Sequence, residues 1–133
     1  WRNAVNGQNA IWRSANFSTS QAVTAVTNLT WNVVGSGDYD GDGRADILWR
    51  NAGSGQNVIW RSASASTTQA MPTVATSWRV AGSGDYDGDG RADILWRNAV
   101  SGANAIWRSG NSATPMPVTA VPNQTWTVVG FSE

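Results

Sequence analysis

Gly35–Ala52 reads GSGDYDGDGRADILWRNA, and the same eighteen residues return verbatim at Gly82–Ala99. The centre of each copy, DYDGDGRAD, places aspartates at relative positions 1, 3, 5 and 9 and glycines at 4 and 6. These are Asp38, Asp40, Asp42 and Asp46 in one copy, and Asp85, Asp87, Asp89 and Asp93 in the other. Carboxylates this dense repel one another unless a hard cation sits among them. Calcium takes about six to eight oxygen ligands, mixing carboxylates, backbone carbonyls and water. The alternate aspartates converge when the segment curls, and Gly41 and Gly43 supply the backbone freedom for the curl. The carbonyl at position 7, of Arg44 and of Arg91, is a further candidate ligand. Asp46 and Asp93 close each loop and begin a strand. The EF-hand loop shares the D-x-D-x-D-G opening but needs a Glu at position 12. That position is Trp49 here, and no helical pattern flanks it. Each copy is therefore read as a calcium loop between two strands, giving about two ions per chain. An Asp/Gly-rich hairpin without an ion is the alternative. Magnesium fits less well, because it keeps more of its own water.

Repetition extends well beyond the two loops. The nine tryptophans fall into three series. Trp1, Trp49 and Trp96 open WRN; Trp12, Trp60 and Trp107 sit in IWRS; Trp31, Trp78 and Trp126 open WNVVG, WRVAG and WTVVG. Within each series the spacing is 47 or 48 residues. One period predicts four strands: Trp31–Gly35, Asp46–Asn51, Asn57–Ser62 and a weaker one near Gln69–Ala75. Asn6-Gly7, Gly53-Ser54-Gly55 and Ser101-Gly102 mark turns between the second and third strands. Pro72, Pro115 and Pro117 point to an edge position for the fourth. Four strands in a repeat of this length is the pattern of a β-propeller blade. A β-solenoid or stacked sandwich is the competing architecture, though solenoid repeats are usually shorter.

The expected fold is thus all-β, with 1–133 a single repeat domain. It divides into a partial repeat over about 1–30, full repeats at 31–77 and 78–125, and a lone first strand at 126–133. That amounts to about three blades per chain and only two loops. Propellers generally need about four to eight blades, and closure removes exposed sheet edges. The chain is accordingly expected to close its ring with further copies. A homodimer of six blades is favoured and a trimer ranks second, with the strand at Trp126 completing a blade begun by Trp1 of the partner. Glu133 and Trp1 of two chains would meet at the third, broken loop. The near-identical repeats and the start within a strand also fit a fragment or an engineered propeller that self-assembles.

DYDGDGRAD followed by an apolar strand resembles the FG-GAP (or VCBS) repeat of integrin-α-type β-propellers. The resemblance occurs twice, and the repeat pattern covers essentially the whole chain. It implies a propeller with the loop joining the first two strands of each blade. It also implies bound calcium, with Asp38, Asp40, Asp42, Asp46, Asp85, Asp87, Asp89 and Asp93 as ligands. Some fungal lectins are similar propellers that bind sugars between blades.

Composition narrows the function. There is no His, Cys or Lys. Eight of the nine acids belong to the two loops, and the ninth is Glu133. No activated nucleophile or free general base is evident, so an enzyme is not expected. The absence of cysteine rules out a disulfide framework and thiolate metal sites. All nine basic residues are arginines, spread rather than clustered, so nucleic acid is not an expected partner. Two bound divalent ions would move the formal net charge from 0 to +4. No apolar run reaches the roughly 20 residues of a membrane span. Neighbours in a strand face opposite sides, so Trp49 and Arg50 should address different blades. The Trp-Arg pairs then serve either as inter-blade packing or as repeated sugar sites, in which rings stack on the sugar and arginines bond its hydroxyls. Two functions follow: a calcium-stabilised scaffold or interaction module, and, alternatively, a multivalent carbohydrate-binding lectin. Loops without the full EF-hand ligand set would fill at extracellular calcium levels, which places the protein outside the cell or on its surface.

Overall fold

The computed structural model describes residues 1–129. Ten strands run in chain order: β1 (Asn9–Trp12), β2 (Ser20–Val23), β3 (Trp31–Gly37), β4 (Asp46–Asn51), β5 (Asn57–Trp60), β6 (Thr68–Met71), β7 (Trp78–Gly84), β8 (Asp93–Asn98), β9 (Asn104–Trp107) and β10 (Pro115–Val118). They form three antiparallel sheets, β1–β2, β3–β4–β5–β6 and β7–β8–β9–β10. Short 3-10 turns follow β1, β5 and β9, and there is no α-helix among the described residues.

The expectation of about three four-stranded units is met by two. The first sheet has two strands, plus a single bridge from Arg2 to Asn9. That bridge puts Trp1–Asn3 where β4 and β8 run in the complete sheets, since Arg50 pairs with Asn57 and Arg97 with Asn104. Trp126–Val129, expected to begin a further strand, joins no ladder. The remainder of that strand, with Glu133, lies outside the described residues.

Strand limits depart from expectation for local reasons. β5 stops at Trp60 instead of reaching Ser62, because Ser62 sits in the left-handed region at φ 50°. Ser14 and Ser109 repeat this conformation at φ 51° and 49°. β6 begins earlier than expected and ends at Met71, immediately before Pro72, which has no N–H to give. β6 and β10 are edge strands, as expected from Pro72 just after the one and from Pro115 and Pro117 within the other. β3 and β7 run two residues past the expected end, through a bulge at Val33/Gly35 and Val80/Gly82. The bulge re-aims the strand toward the aspartate loop.

Two apolar clusters lie between successive sheets. Val23, Trp49 and Trp60 pack with Ile11, Val26 and Trp31 between the first and second. Tyr39, Leu48, Ile59, Ile94 and Trp96 pack between the second and third. Strand alternation is what divides them. Trp49 faces back toward β2, while the neighbouring Arg50 faces forward, its guanidinium 5.1 Å from the Trp96 ring centre. The same arginine donates to the carbonyls of Gly55, Val74, Ala75 and Trp78 at 2.9–3.0 Å. It therefore ties its own turn and the segment after β6 to the first strand of the next sheet. Such fully used donors offset the cost of burying a charge. With the sheets locked this way, the β3–β4 and β7–β8 loops come to lie side by side.

Candidate metal centre

Each loop curls because its aspartates capture backbone amides. Asp38 Oδ1 accepts from the amides of Gly41 and Asp42 at 2.6 and 3.1 Å, and Oδ2 from Gly43 at 2.7 Å. Asp40 accepts from Asp42 at 3.2 Å and Asp42 from Arg44 at 2.8 Å. Gly41 and Gly43 hold φ of 80° and 83°, which the curl requires. The second loop repeats this bond for bond: Asp85 with Gly88, Asp89 and Gly90, then Asp87 with Asp89, and Asp89 with Arg91.

The result is a cluster of hard oxygen donors. Carboxylate oxygens of Asp38, Asp40 and Asp42 lie within 4.8 Å of one another, as do those of Asp85, Asp87 and Asp93. Three carboxylates in that space suit a hard divalent cation, which would hold them together by charge neutralisation. Arg44 and Arg91 are both exposed, and the Arg91 side chain lies against Gly41 of the first loop; their backbone carbonyls are the candidate donors.

Asp46 and Asp93 are fully buried. Asp46 accepts from the amides of Tyr39 at 2.9 Å and Ser62 at 2.7 Å. Asp93 accepts from Tyr86 at 2.8 Å, Asp87 at 3.3 Å and Ser109 at 2.7 Å. Each thus joins its own loop to the 3-10 turn that follows the third strand, at the same end of the sheet. Burial pushes the Asp46 carboxyl up from its ordinary range, and the charges of Asp40 and Asp38 add to this against its two amide bonds. For Asp38 burial also acts upward, but the amides of Gly43, Gly41 and Asp42 prevail and hold it below the ordinary range.

Two residues of each site were not legible as site residues in the sequence. Ser62 Oγ donates to Asp42 and Ser109 Oγ to Asp89, both at 3.1 Å. Arg61 lies 3.5 Å from Asp40, and Arg108 lies 3.4 Å from Asp87. The signal was present in the recurring IWRS. Read as strand, it gave no reason for the Ser to turn back toward the loop. Ser14 has the same conformation without such a carboxylate among the described residues.

The loops also touch each other. Ala92 N–H donates to the Asp38 carbonyl at 2.7 Å, and Tyr39 shares a 2.5 Å hydrogen bond with Ser83 of the next sheet. Burial drives the Tyr39 phenol up to about 12. Asn16, Asn28 and Asn123, which open Asn-x-Ser/Thr triplets, use their side-chain oxygens to cap Ser18, Thr30 and Thr125 locally. Turn formation accounts for those triplets. No helix of the described residues is long and apolar enough to cross a membrane.

Comparison with known proteins bears on these loops. No curated protein and no solved structure matched the chain. Residues 38–96, from the first aspartate of one loop to the buried tryptophan beyond the other, match the family model of the FG-GAP-like repeat.

Proposed function

We propose that this chain is a non-enzymatic, calcium-stabilised β-propeller module that serves as a scaffold or interaction domain and assembles with a second copy of itself. The observation that carries this reading is a carboxylate cluster in each loop, Asp38, Asp40 and Asp42 in one and Asp85, Asp87 and Asp93 in the other, on matched backbone hydrogen bonds within the stretch that matches the FG-GAP-like repeat. Asp38, Asp40, Asp42 and Asp46 would hold one ion and Asp85, Asp87, Asp89 and Asp93 the other, with the carbonyls of Arg44 and Arg91 contributing. The bound ion would neutralise the loop and so strengthen the joint between the first two strands of a sheet. The non-enzymatic reading rests on composition: there is no His, Cys or Lys, and the loop carboxylates are committed to the joint. A setting outside the cell or on its surface follows from the calcium levels such loops need.

Isothermal titration with calcium should count two ions per chain, and thermal melting should rise with calcium and fall with chelator. A ligand at 100 times its dissociation constant stabilises by about 2.7 kcal/mol per site. Asp38→Asn should reduce the count to one. No calcium uptake, with melting indifferent to chelator, would contradict the proposal.

A second reading, the multivalent lectin, is favoured by a polar cleft of about 580 Å³ between the second and third sheets, lined in part by Arg61, Gln69, Arg91 and Asn111. Its side chains suit hydroxyl recognition. A glycan array run with calcium and then chelator separates the readings. Reproducible, calcium-dependent sugar binding selects the lectin, and a blank array selects the scaffold.

A further inference from the structure

Three arginines stand in equivalent positions, and two of them face a tryptophan of the following sheet. The Arg2 guanidinium lies 5.0 Å from the Trp49 ring centre, and that of Arg50 lies 5.1 Å from Trp96. Arg97 holds the same place in β8 and is 2% exposed, yet it faces no ring among the described residues. Its hold is looser. The bonds to Gly102, Gln124 and Trp126 measure 3.3–3.4 Å, and only that to Val121 is short at 2.9 Å. Its Nε is buried with no hydrogen-bond partner among the described residues. Beside it opens an apolar cleft of about 360 Å³, bounded by Leu95, Val121, Trp126 and Val128.

A ring in the matching position is exposed on the first sheet. Trp1 is 73% exposed, whereas Trp49 and Trp96 are each 1% exposed. It is already arranged as they are, with its ring centre 4.2 Å from that of Trp12. Trp49 stacks in this way on Trp60, and Trp96 on Trp107, both at 5.0 Å.

The strand edges tell the same story. Arg2 donates to the Trp31 carbonyl, Arg50 to that of Trp78 and Arg97 to that of Trp126. Trp126–Val129 therefore stands to Arg97 as β3 stands to Arg2, but pairs with no strand among the described residues. Trp1–Asn3 stands where β4 does, with one edge free. In the complete sheets Trp31, Asn32 and Val33 oppose Asn51, Arg50 and Trp49, and Trp78, Arg79 and Val80 oppose Asn98, Arg97 and Trp96.

We propose that the cleft beside Arg97 receives Trp1 of a second copy, and that Trp126–Val129 of one copy pairs antiparallel with Trp1–Asn3 of the other. Trp126 then opposes Asn3, Thr127 opposes Arg2 and Val128 opposes Trp1. The inference rests on the self-assembly reading above and adds the contact that achieves it. The occupant is a second copy because this chain carries both halves of an interface it twice makes internally. The contact joins a cation–π pair, a buried aromatic and a strand addition.

The chain has no cysteine, so an engineered pair reports the register directly. Ala4 and Thr125 correspond to the hydrogen-bonded pairs Ala52–Thr30 and Ala99–Ser77. Such pairs lie about 5.5 Å apart between Cα atoms, within disulfide range. Ala4→Cys/Thr125→Cys, oxidised with calcium present, should give a covalent multimer in higher yield than Ala4→Cys/Ser66→Cys. Trp1→Ala should weaken association about tenfold or more in sedimentation velocity without changing the calcium count. Val5→Ala, in an exposed turn, should leave association unchanged. An assembly that neither cross-links nor responds to Trp1→Ala overturns this contact while leaving self-assembly standing. A calcium-loaded monomer overturns both. A cross-linked trimer supports the contact and corrects the six-blade count.

Discussion

Tyr39 and Tyr86 occupy the same place in two identical nonapeptides and live in different surroundings. Tyr39 is 2% exposed and hydrogen-bonded to Ser83, while Tyr86 is 43% exposed. Local sequence cannot separate them, because the difference is made by the sheet that follows. Tyr39→Phe removes a bond across the inter-sheet core and leaves Ser83 Oγ with its longer, 3.3 Å bond to the Asp93 carbonyl. It should cost about 1 kcal/mol in urea denaturation. Tyr86→Phe should fall within about 0.5 kcal/mol of the parent. Equal effects would show that the two loops do not differ in environment. The aspartates were legible for the opposite reason: alternating carboxylates among glycines have few uses besides a hard cation. Ser62 and Ser109 were not legible, since their left-handed backbone serves a carboxylate sixteen positions earlier in the chain.

At the scale of elements, the turn between the second and third strands of each sheet carries the most demanding glycine. Gly7, Gly55 and Gly102 have φ near 75°, and each turn docks the segment that follows its sheet's last strand. Val26, Val74 and Val121 donate their amides to the carbonyls of these glycines at 2.9–3.0 Å. A Cβ at Gly55 would come 2.0 Å from the Val74 carbonyl oxygen, whereas one at Gly53 would meet only the Asn51 side chain at 3.4 Å. Gly55→Ala should therefore cost about 2 kcal/mol or more in chemical denaturation. Gly53→Ala should be close to neutral, and a neutral Gly55→Ala would refute the docking. The second strand of the complete sheets runs as expected over Asp46–Asn51, because Asp46 closes the loop and the apolar Ile47, Leu48 and Trp49 follow at once. The third and fourth strands shifted where a side chain or a proline, and not hydrophobicity, sets the end.

Over the whole molecule, the 47- or 48-residue period made the four-strand unit legible from tryptophan spacing alone. The way units join was only half legible. The Trp-Arg alternation predicted opposite faces, but Arg2, Arg50 and Arg97 also each tie three or more carbonyls. The contact proposed between Arg97 of one copy and Trp1 of another repeats that tie. The same logic makes the joint loops, the ring and the second copy a single claim. Native mass spectrometry of the calcium-loaded chain tests that claim most directly. Two chains of 14.1 kDa carrying four calcium ions, about 28 kDa before the metal, is the predicted species. A single chain, or an assembly free of calcium, would contradict it.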